Sequence, residues 1–259
     1  MDLPTILFAI AILLATCLSC LVYIPPNPNP TGPQVKDGAS VLTSGLFLLP
    51  WLATTTSIGA YHSYLVLFPP ITSTILCPYH DHLNPSLFTW NLHTILCLVC
   101  ILTFASLRLL SFTHLGPNFT YRIARPKKLI TTGIYHYVQH PSYIALVGVV
   151  VANGLLVDRP DGIPACWLGN TWIESHAWMI LGCGVVVGMG LLMIRIRDEE
   201  QMLEDSFGKE WEVWHAKTAR FIPARLFSGF GTENSMSIHA SVTLLKAIVR
   251  VASHWQLVL

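Results

Sequence analysis

The stretch LPTILFAIAILLATCLSCLVYI, residues 3–24, carries no charged side chain, and as a helix it is long enough to cross the roughly 30 Å hydrocarbon layer of a bilayer. The surrounding chain agrees with it. Its 259 residues are 53% hydrophobic and 11% charged, against roughly 25% charged in an ordinary soluble domain. Further apolar windows cover residues 41–68, 86–110, 142–157 and 177–194. The pattern predicts an all-α integral membrane protein with about five transmembrane helices, the second bent around Pro50. The residues MDLPT at the start lack the basic region of a signal peptide, so the first window is expected to be a retained helix.

Lys and Arg orient these windows. The connection 69–85 has none, whereas 111–141 has Arg122, Arg125, Lys127 and Lys128, and 198–227 has Lys209, Lys217, Arg220 and Arg225. Cytoplasmic loops are the ones enriched in these residues. The two basic segments are therefore expected on the cytoplasmic side, and the N-terminus with loops 69–85 and 158–174 on the other. The sequon Asn118-Phe119-Thr120 then lies on the cytoplasmic side and should carry no glycan.

Seven cysteines cannot all pair with one another. The C-x-x-C pairs Cys17/Cys20 and Cys97/Cys100 fall inside apolar windows, where thiolate chemistry would require ions in hydrocarbon, so they are expected to be small apolar helix residues. The proline-rich stretch 25–34 reads as a connection. Nearly all charge follows Leu107, and this divides the chain into an N-terminal scaffold of three spans (1–110), a core (111–227) and a tail (228–259). In that tail Lys246, Arg250 and His254 share one helical face, which favours a helix lying on the membrane surface over a sixth span.

Two stretches concentrate polar chemistry beside apolar windows. In GIYHYVQHPSY, 133–143, His136 and His140 are spaced as a helical metal pair would be. No third ligand is evident, and Pro141 disfavours helix at His140, so no metal site is expected. Pro141 instead predicts a helix start with free backbone N–H groups at Ser142 and Tyr143, suited to an anionic or hydroxyl-bearing ligand. In RIRDEEQMLEDSFGKEWEVW, 195–214, the fifth window continues into charged helix. Arg195 precedes Glu199 by four residues, the poorer orientation for a helix-stabilising pair, which points to another use for the arginine. Gly208 reads as a helix stop, and Trp211, Trp214 and Phe221 as interfacial anchors. Gly182, Gly184, Gly188 and Gly190 are expected to permit close helix packing. The RFIP segment from Arg220 ends the ordered pattern.

The order G-[IV]-Y-x-x-x-[RQ]-H-P-S-Y, a pair of apolar windows, then R-I-x-x-E-E-x-x-L-x-x-x-F-G-x-x-[YW] resembles the isoprenylcysteine carboxyl methyltransferase family of membrane enzymes, over about residues 115–227. The resemblance implies a multi-pass protein of the endoplasmic reticulum membrane. Its activity would be methyl esterification, by S-adenosylmethionine, of the C-terminal prenylcysteine carboxylate of prenylated proteins or small prenylcysteine substrates. It implies no nucleic-acid partner. Carried over residue by residue, it implicates Lys127, Lys128, Leu129, Ile130, Tyr135, Gln139, His140, Pro141, Ser142 and Glu199 in holding the cofactor, with Glu200 as neighbour, and Arg195 in handling the substrate carboxylate. The pocket would lie between the loop before helix four and the segment after helix five. Two positions depart from the family pattern: Gln139 stands where arginine is usual, and Lys127 where histidine is common. A phospholipid N-methyltransferase, an NADPH-dependent sterol reductase, whose C-terminal region also resembles the H-P-x-Y and RFIP segments, and a non-catalytic relative remain alternatives.

Overall fold

Helix α1, Leu3–Tyr23, opens where the Asp2 side chain accepts the Thr5 N–H at 3.3 Å, with a proline in its first turn, and it ends before Pro25 and Pro26. The structure is a computed structural model that describes residues 2–29, 35–69, 75–168 and 171–221. Helix α2 is Gly45–Leu67, α3 Leu92–Leu115, α4 Pro141–Leu156, α5 Thr171–Phe207 and α6 Lys209–Lys217. Short 3₁₀ turns lie in several connections, and among the described residues the one departure from helix and loop is an isolated parallel bridge between Val138 and Ala219. The all-helical expectation holds. The tail helix foreseen at 238–259 and part of the proline-rich connection lie outside the described residues.

Among the described residues, three helices are both long and apolar enough to cross a membrane: Leu3–Tyr23, Leu92–Asn118 and Met179–Phe207. Helix α4 is apolar but has 16 residues, about 24 Å of helix. Helix α2 is long enough at 23 residues but carries Thr54, Thr55, Thr56, Ser57, His62 and Ser63. Helix α1 packs on α2 and α3, and α3 on α4. Phe8, Ile12, Ile101 and Leu156 are fully buried where α1, α3 and α4 meet. Leu7, Ile10 and Leu14 of α1 and Leu96, Val99 and Leu102 of α3 point outward. Such an apolar exterior suits lipid contact, where packing between helices rests on dispersion and buried polar contacts rather than on exclusion of water. An example of the latter is Asn153 of α4, which donates to the Ser19 hydroxyl of α1 at 2.9 Å.

Successive connections collect alternately at two ends. At one, Tyr79 N–H donates to the Cys166 carbonyl, Asn84 bonds Asp161 through both backbone and side chain, and Trp90 Nε1 donates to the Pro4 carbonyl. A disulfide between Cys77 and Cys166 closes this end. At the other end, Asn27 Nδ2 donates to the carbonyls of Gly116 and Phe119, and Arg122 N–H to the Asn29 side chain. The disulfide was not foreseen, because loop cysteines distant in sequence carry no spacing signal. It joins the two loops, 69–85 and 158–174, that the sequence reading expects on the side away from the cytoplasm, the kind of compartment in which disulfides persist. Cys17, Cys20, Cys97 and Cys100 are free and helical, as expected.

The glycines of α5 differ from expectation. Beyond the helix's own neighbouring residues, no described atom lies within 4 Å of where a Cβ would stand at Gly182, Gly184, Gly188 or Gly190, so they form no close contact with another helix among the described residues. Gly208, at φ +51°, breaks the chain between α5 and α6 as predicted.

The disulfide makes a countable prediction. Denatured under non-reducing conditions, the protein should take up maleimide at its five free cysteines, and after reduction at all seven. Seven sites before reduction would mean that Cys77 and Cys166 are not joined.

Candidate active site

The HPSY motif and the charged end of α5 come together. Pro141 starts α4 with His140 as N-cap. His140 Nε2 donates to Glu200 Oε1 at 2.9 Å, and the same carboxylate takes a two-pronged grip from Arg220, through Nε at 2.6 Å and through Nη2. Paired N–H donors on a carboxylate are among the stronger charge-assisted arrangements. The RFIP arginine, expected only to end the pattern, is thus part of the site, and Phe221 packs beside the His140 ring at 6.0 Å.

Gln139 is accounted for by the same junction. Its Nε2 donates to the carbonyls of His215 at 3.0 Å and Thr218, so its Oε1 must be the atom facing His215 Nδ1 at 2.8 Å. Since an amide oxygen only accepts, His215 carries a proton on Nδ1. Backbone bonds from Gln139 N–H to Ala219 and from His140 N–H to Arg220 run alongside. Gln139 therefore fastens the turn before α4 to the end of α6; that positioning is where the structure puts the position at which the family usually has arginine. Trp211 and Trp214, expected as interfacial anchors, face inward instead. Trp211 is buried and stacks on His215, and Trp214 Nε1 donates to the Tyr135 carbonyl at 3.0 Å.

Arg195 is buried, and each nitrogen of its guanidinium has a partner: Nη1 the Asp37 carboxylate at 2.6 Å, Nε the Tyr143 hydroxyl at 3.2 Å, and Nη2 the Tyr121 carbonyl. It makes no ion pair with Glu199, which instead accepts from the Tyr143 hydroxyl at 2.6 Å. A second arginine, Arg108 of α3, is also buried. It donates through Nη1 to the carbonyl and hydroxyl of Ser142, each at 2.9 Å, and through Nε to the Val22 carbonyl at 2.8 Å, with the Phe112 ring 5.1 Å away. Two arginines thus flank the first turn of α4, one on Ser142 and one on Tyr143. Among the described residues no carboxylate lies within ion-pair distance of Arg108, and its charge is met by backbone carbonyls, the Ser142 hydroxyl and the Phe112 ring. The expected open anion site at the helix start is partly closed, because Tyr143 N–H bonds back to the His140 carbonyl at 3.2 Å.

The remaining candidates divide. Tyr135 is buried, its hydroxyl near Ser111 and Arg108 without a hydrogen bond of good geometry. Burial, and after it the Glu199 charge, pushes this phenol well above its ordinary range, so it remains protonated and available as a donor. Lys127 and Lys128 are exposed and Leu129 and Ile130 half-buried, and none makes a polar side-chain contact with the junction. An open groove of about 470 Å³ lies between His114 and the 132–137 turn, lined by Thr132, Gly133, Ile134, His136 and Tyr137 as well. Tyr135 is not among the residues that line it. Arg108, Asp37 and Arg220 were missed as site residues. Of these, Arg108 had a legible signal: a lone arginine closing an apolar window is costly unless it serves a site.

Fold and site together define a multi-pass helical membrane protein whose polar network sits at one end of the helix bundle. Residues 95–173, from α3 to the beginning of α5, match the model of the Isoprenylcysteine carboxyl methyltransferase (ICMT) family. The matched stretch contains Arg108, Tyr135 and the HPSY segment and ends ahead of Arg195. Protein-S-isoprenylcysteine O-methyltransferase of Dictyostelium discoideum is 27% identical over 143 residues, which make up 54% of this chain and 52% of that protein. The chain thus aligns with about half the length of this curated relative. The resemblance carried by the sequence motifs is borne out.

The role given to Gln139 is testable by stability. Gln139→Ala strands two buried carbonyls and the His215 N–H, at about 1–3 kcal/mol for each group left without water or a partner. Thermal unfolding of the detergent-solubilised variant should show a clearly lowered midpoint. An unchanged midpoint would mean that Gln139 does not fasten α6.

Proposed function

We propose that this chain is a protein-S-isoprenylcysteine O-methyltransferase that esterifies the C-terminal carboxylate of prenylcysteine, with S-adenosylmethionine as methyl donor. The observation that carries this is the pair of buried arginines on the first turn of α4, beside an HPSY motif tied to the acidic end of α5. A buried cation at a membrane-spanning helix calls for an anionic partner, and a carboxylate on a lipid tail is an anion that a membrane delivers.

The residues present suit such a donor. Glu199 keeps acceptor capacity and negative charge toward a sulfonium, the buried Tyr135 phenol is an unsatisfied donor, and the groove beside the 132–137 turn has room for a nucleoside-sized group. We assign Tyr135, His140, Pro141, Ser142 and Glu199 to holding it, with Gln139 keeping their backbone in place and 127–130 forming an outer edge. When bound, S-adenosylmethionine supplies a sulfonium methyl to the substrate carboxylate oxygen, so that a C–O bond forms as the C–S bond breaks.

A free carboxylate is ionised at neutral pH, its pKa lying near 3.5, so no general base is needed. The chain's task is alignment and partial desolvation. Arg195 cannot lose its proton, and its planar fork can orient one carboxylate oxygen without quenching it. Tyr143 braces Arg195 against Glu199, and the prenyl tail enters sideways from lipid. In this proposal five helices cross the endoplasmic reticulum membrane, the short α4 included, with the site facing the cytoplasm. The first three spans serve as scaffold for the core that follows.

Purified protein supplied with labelled S-adenosylmethionine should methylate a farnesylcysteine derivative to a base-labile ester and leave phosphatidylethanolamine unlabelled. Arg195→Ala should lower the rate by about a hundredfold or more, as misplacement of a reacting group does, while S-adenosylhomocysteine still binds. Label on the phospholipid, or tight NADPH binding without S-adenosylhomocysteine binding, would refute the assignment.

A further inference from the structure

The Nη1 edge of Arg195, the one edge of its guanidinium that meets a charge, is held by a carboxylate of the chain itself. Asp37 lies in the connection between α1 and α2, 158 residues away, and both side chains of the pair are only 8% exposed. The two other partners of the guanidinium, the Tyr121 carbonyl and the Tyr143 hydroxyl, belong to different elements. They fix the plane of the guanidinium whether or not Asp37 is present.

The segment around Asp37 is strapped along one face of α5. Gly38 N–H donates to Asp198 Oδ2 at 2.7 Å, and Lys36 Nζ stands 3.7 Å from Asp198 Oδ1. Asp198 follows Arg195 by three residues and so shares its helical face. The fit is close: a Cβ on Gly38 would stand 2.9 Å from Ile194 Cγ2 and 3.2 Å from Asp198 Oδ2. Ala39 is buried, whereas Lys36, Gly38 and Ser40 remain at the surface. The strap is therefore a rim element, and its hold on α5 is mostly polar.

We propose that Asp37 is a resident stand-in for the substrate carboxylate, and that residues 35–40 form a strap which the substrate displaces from Arg195. This rests on the function proposed above and adds to it a specificity-determining residue. The chemistry of exchange is like for like, since a prenylcysteine carboxylate has the charge and planar geometry of the Asp37 group. Two carboxylates cannot share the Nη1 edge in a dry site without strong repulsion. When one enters, Asp37 moves outward to water, where its desolvation cost is recovered. A neutral prenyl compound cannot drive that exchange, so the strap discriminates carboxylate substrates from esters, amides and the methylated product.

The test measures binding of N-acetyl-S-farnesylcysteine and of its neutral amide to the full-length protein in nanodiscs. Wild type is compared with Asp37→Asn, which removes the competing charge, and with Gly38→Ala, which keeps every charge but pushes the strap off Ile194. Both variants should bind the carboxylate on the order of tenfold more tightly, within the usual range for coupled equilibria. Affinity for the amide and for S-adenosylhomocysteine should not change. Should Asp37→Asn fail to fold, Gly38→Ala decides. Unchanged or weakened carboxylate binding in the folded variants would make Asp37 a fixed buttress and overturn the strap while leaving the methyltransferase assignment intact. Absence of farnesylcysteine binding in all three proteins would remove both.

Discussion

Arg195 is the side chain on which the polar end of this molecule depends. From α5 it reaches the segment after α1 through Asp37, the segment after α3 through Tyr121 and the first turn of α4 through Tyr143. The glycine face of α5 meets nothing among the described residues, so its attachment to the other helices is carried at its charged end. Removing one member of a buried, hydrogen-bonded ion pair costs about 3–5 kcal/mol, because the other charge is left without compensation. A cation in that position is a constraint as much as a bond, for each segment it gathers must present an oxygen to it.

Around this centre the site is built by positioning residues. Glu200 is held on one oxygen by His140 and on both by Arg220, and Gln139 stitches the turn before α4 to the end of α6. Both contacts fix the backbone that carries Ser142 and Tyr143, which in turn receive the two arginines. The missing family arginine at 139 is therefore a change in how the turn is fastened. A glutamine whose amide meets two carbonyls and an imidazole does there what a charge would do only with a nearby acid.

The apolar body and its two ends divide the labour. Along the helices, packing is by small residues, aliphatic side chains and a few buried polar contacts such as that of Asn153 with Ser19. At one end, the Cys77 to Cys166 disulfide and the Asn84 and Asp161 contacts hold the connections together. The other end holds the basic segments and the network at Arg195. Helix α5 has 37 residues, about 55 Å at 1.5 Å per residue, and so exceeds the hydrocarbon thickness by several turns. Its acidic turns are thereby carried clear of the lipid, to where His140 and Arg220 can meet them.

The all-helical, membrane-type architecture, the helix starting at Pro141 and the break at Gly208 were legible from residue order, because periodicity, proline and glycine geometry and hydropathy act locally. Arg195, His140 and Glu199 were singled out by the resemblance of the HPSY and RIRDEE motifs to a known family, and the structure brings those two stretches together. The partners were not legible. That Arg195 meets Asp37 and not Glu199, that Arg220 grips Glu200, that Trp214 turns to the Tyr135 carbonyl and that Cys77 joins Cys166 are contacts between residues 20 to 158 apart. Helix spacing places residues three or four apart on one face, but it cannot say which distant oxygen a guanidinium will find. Only the packing of α1, α3, α4 and α5 around one end decided that.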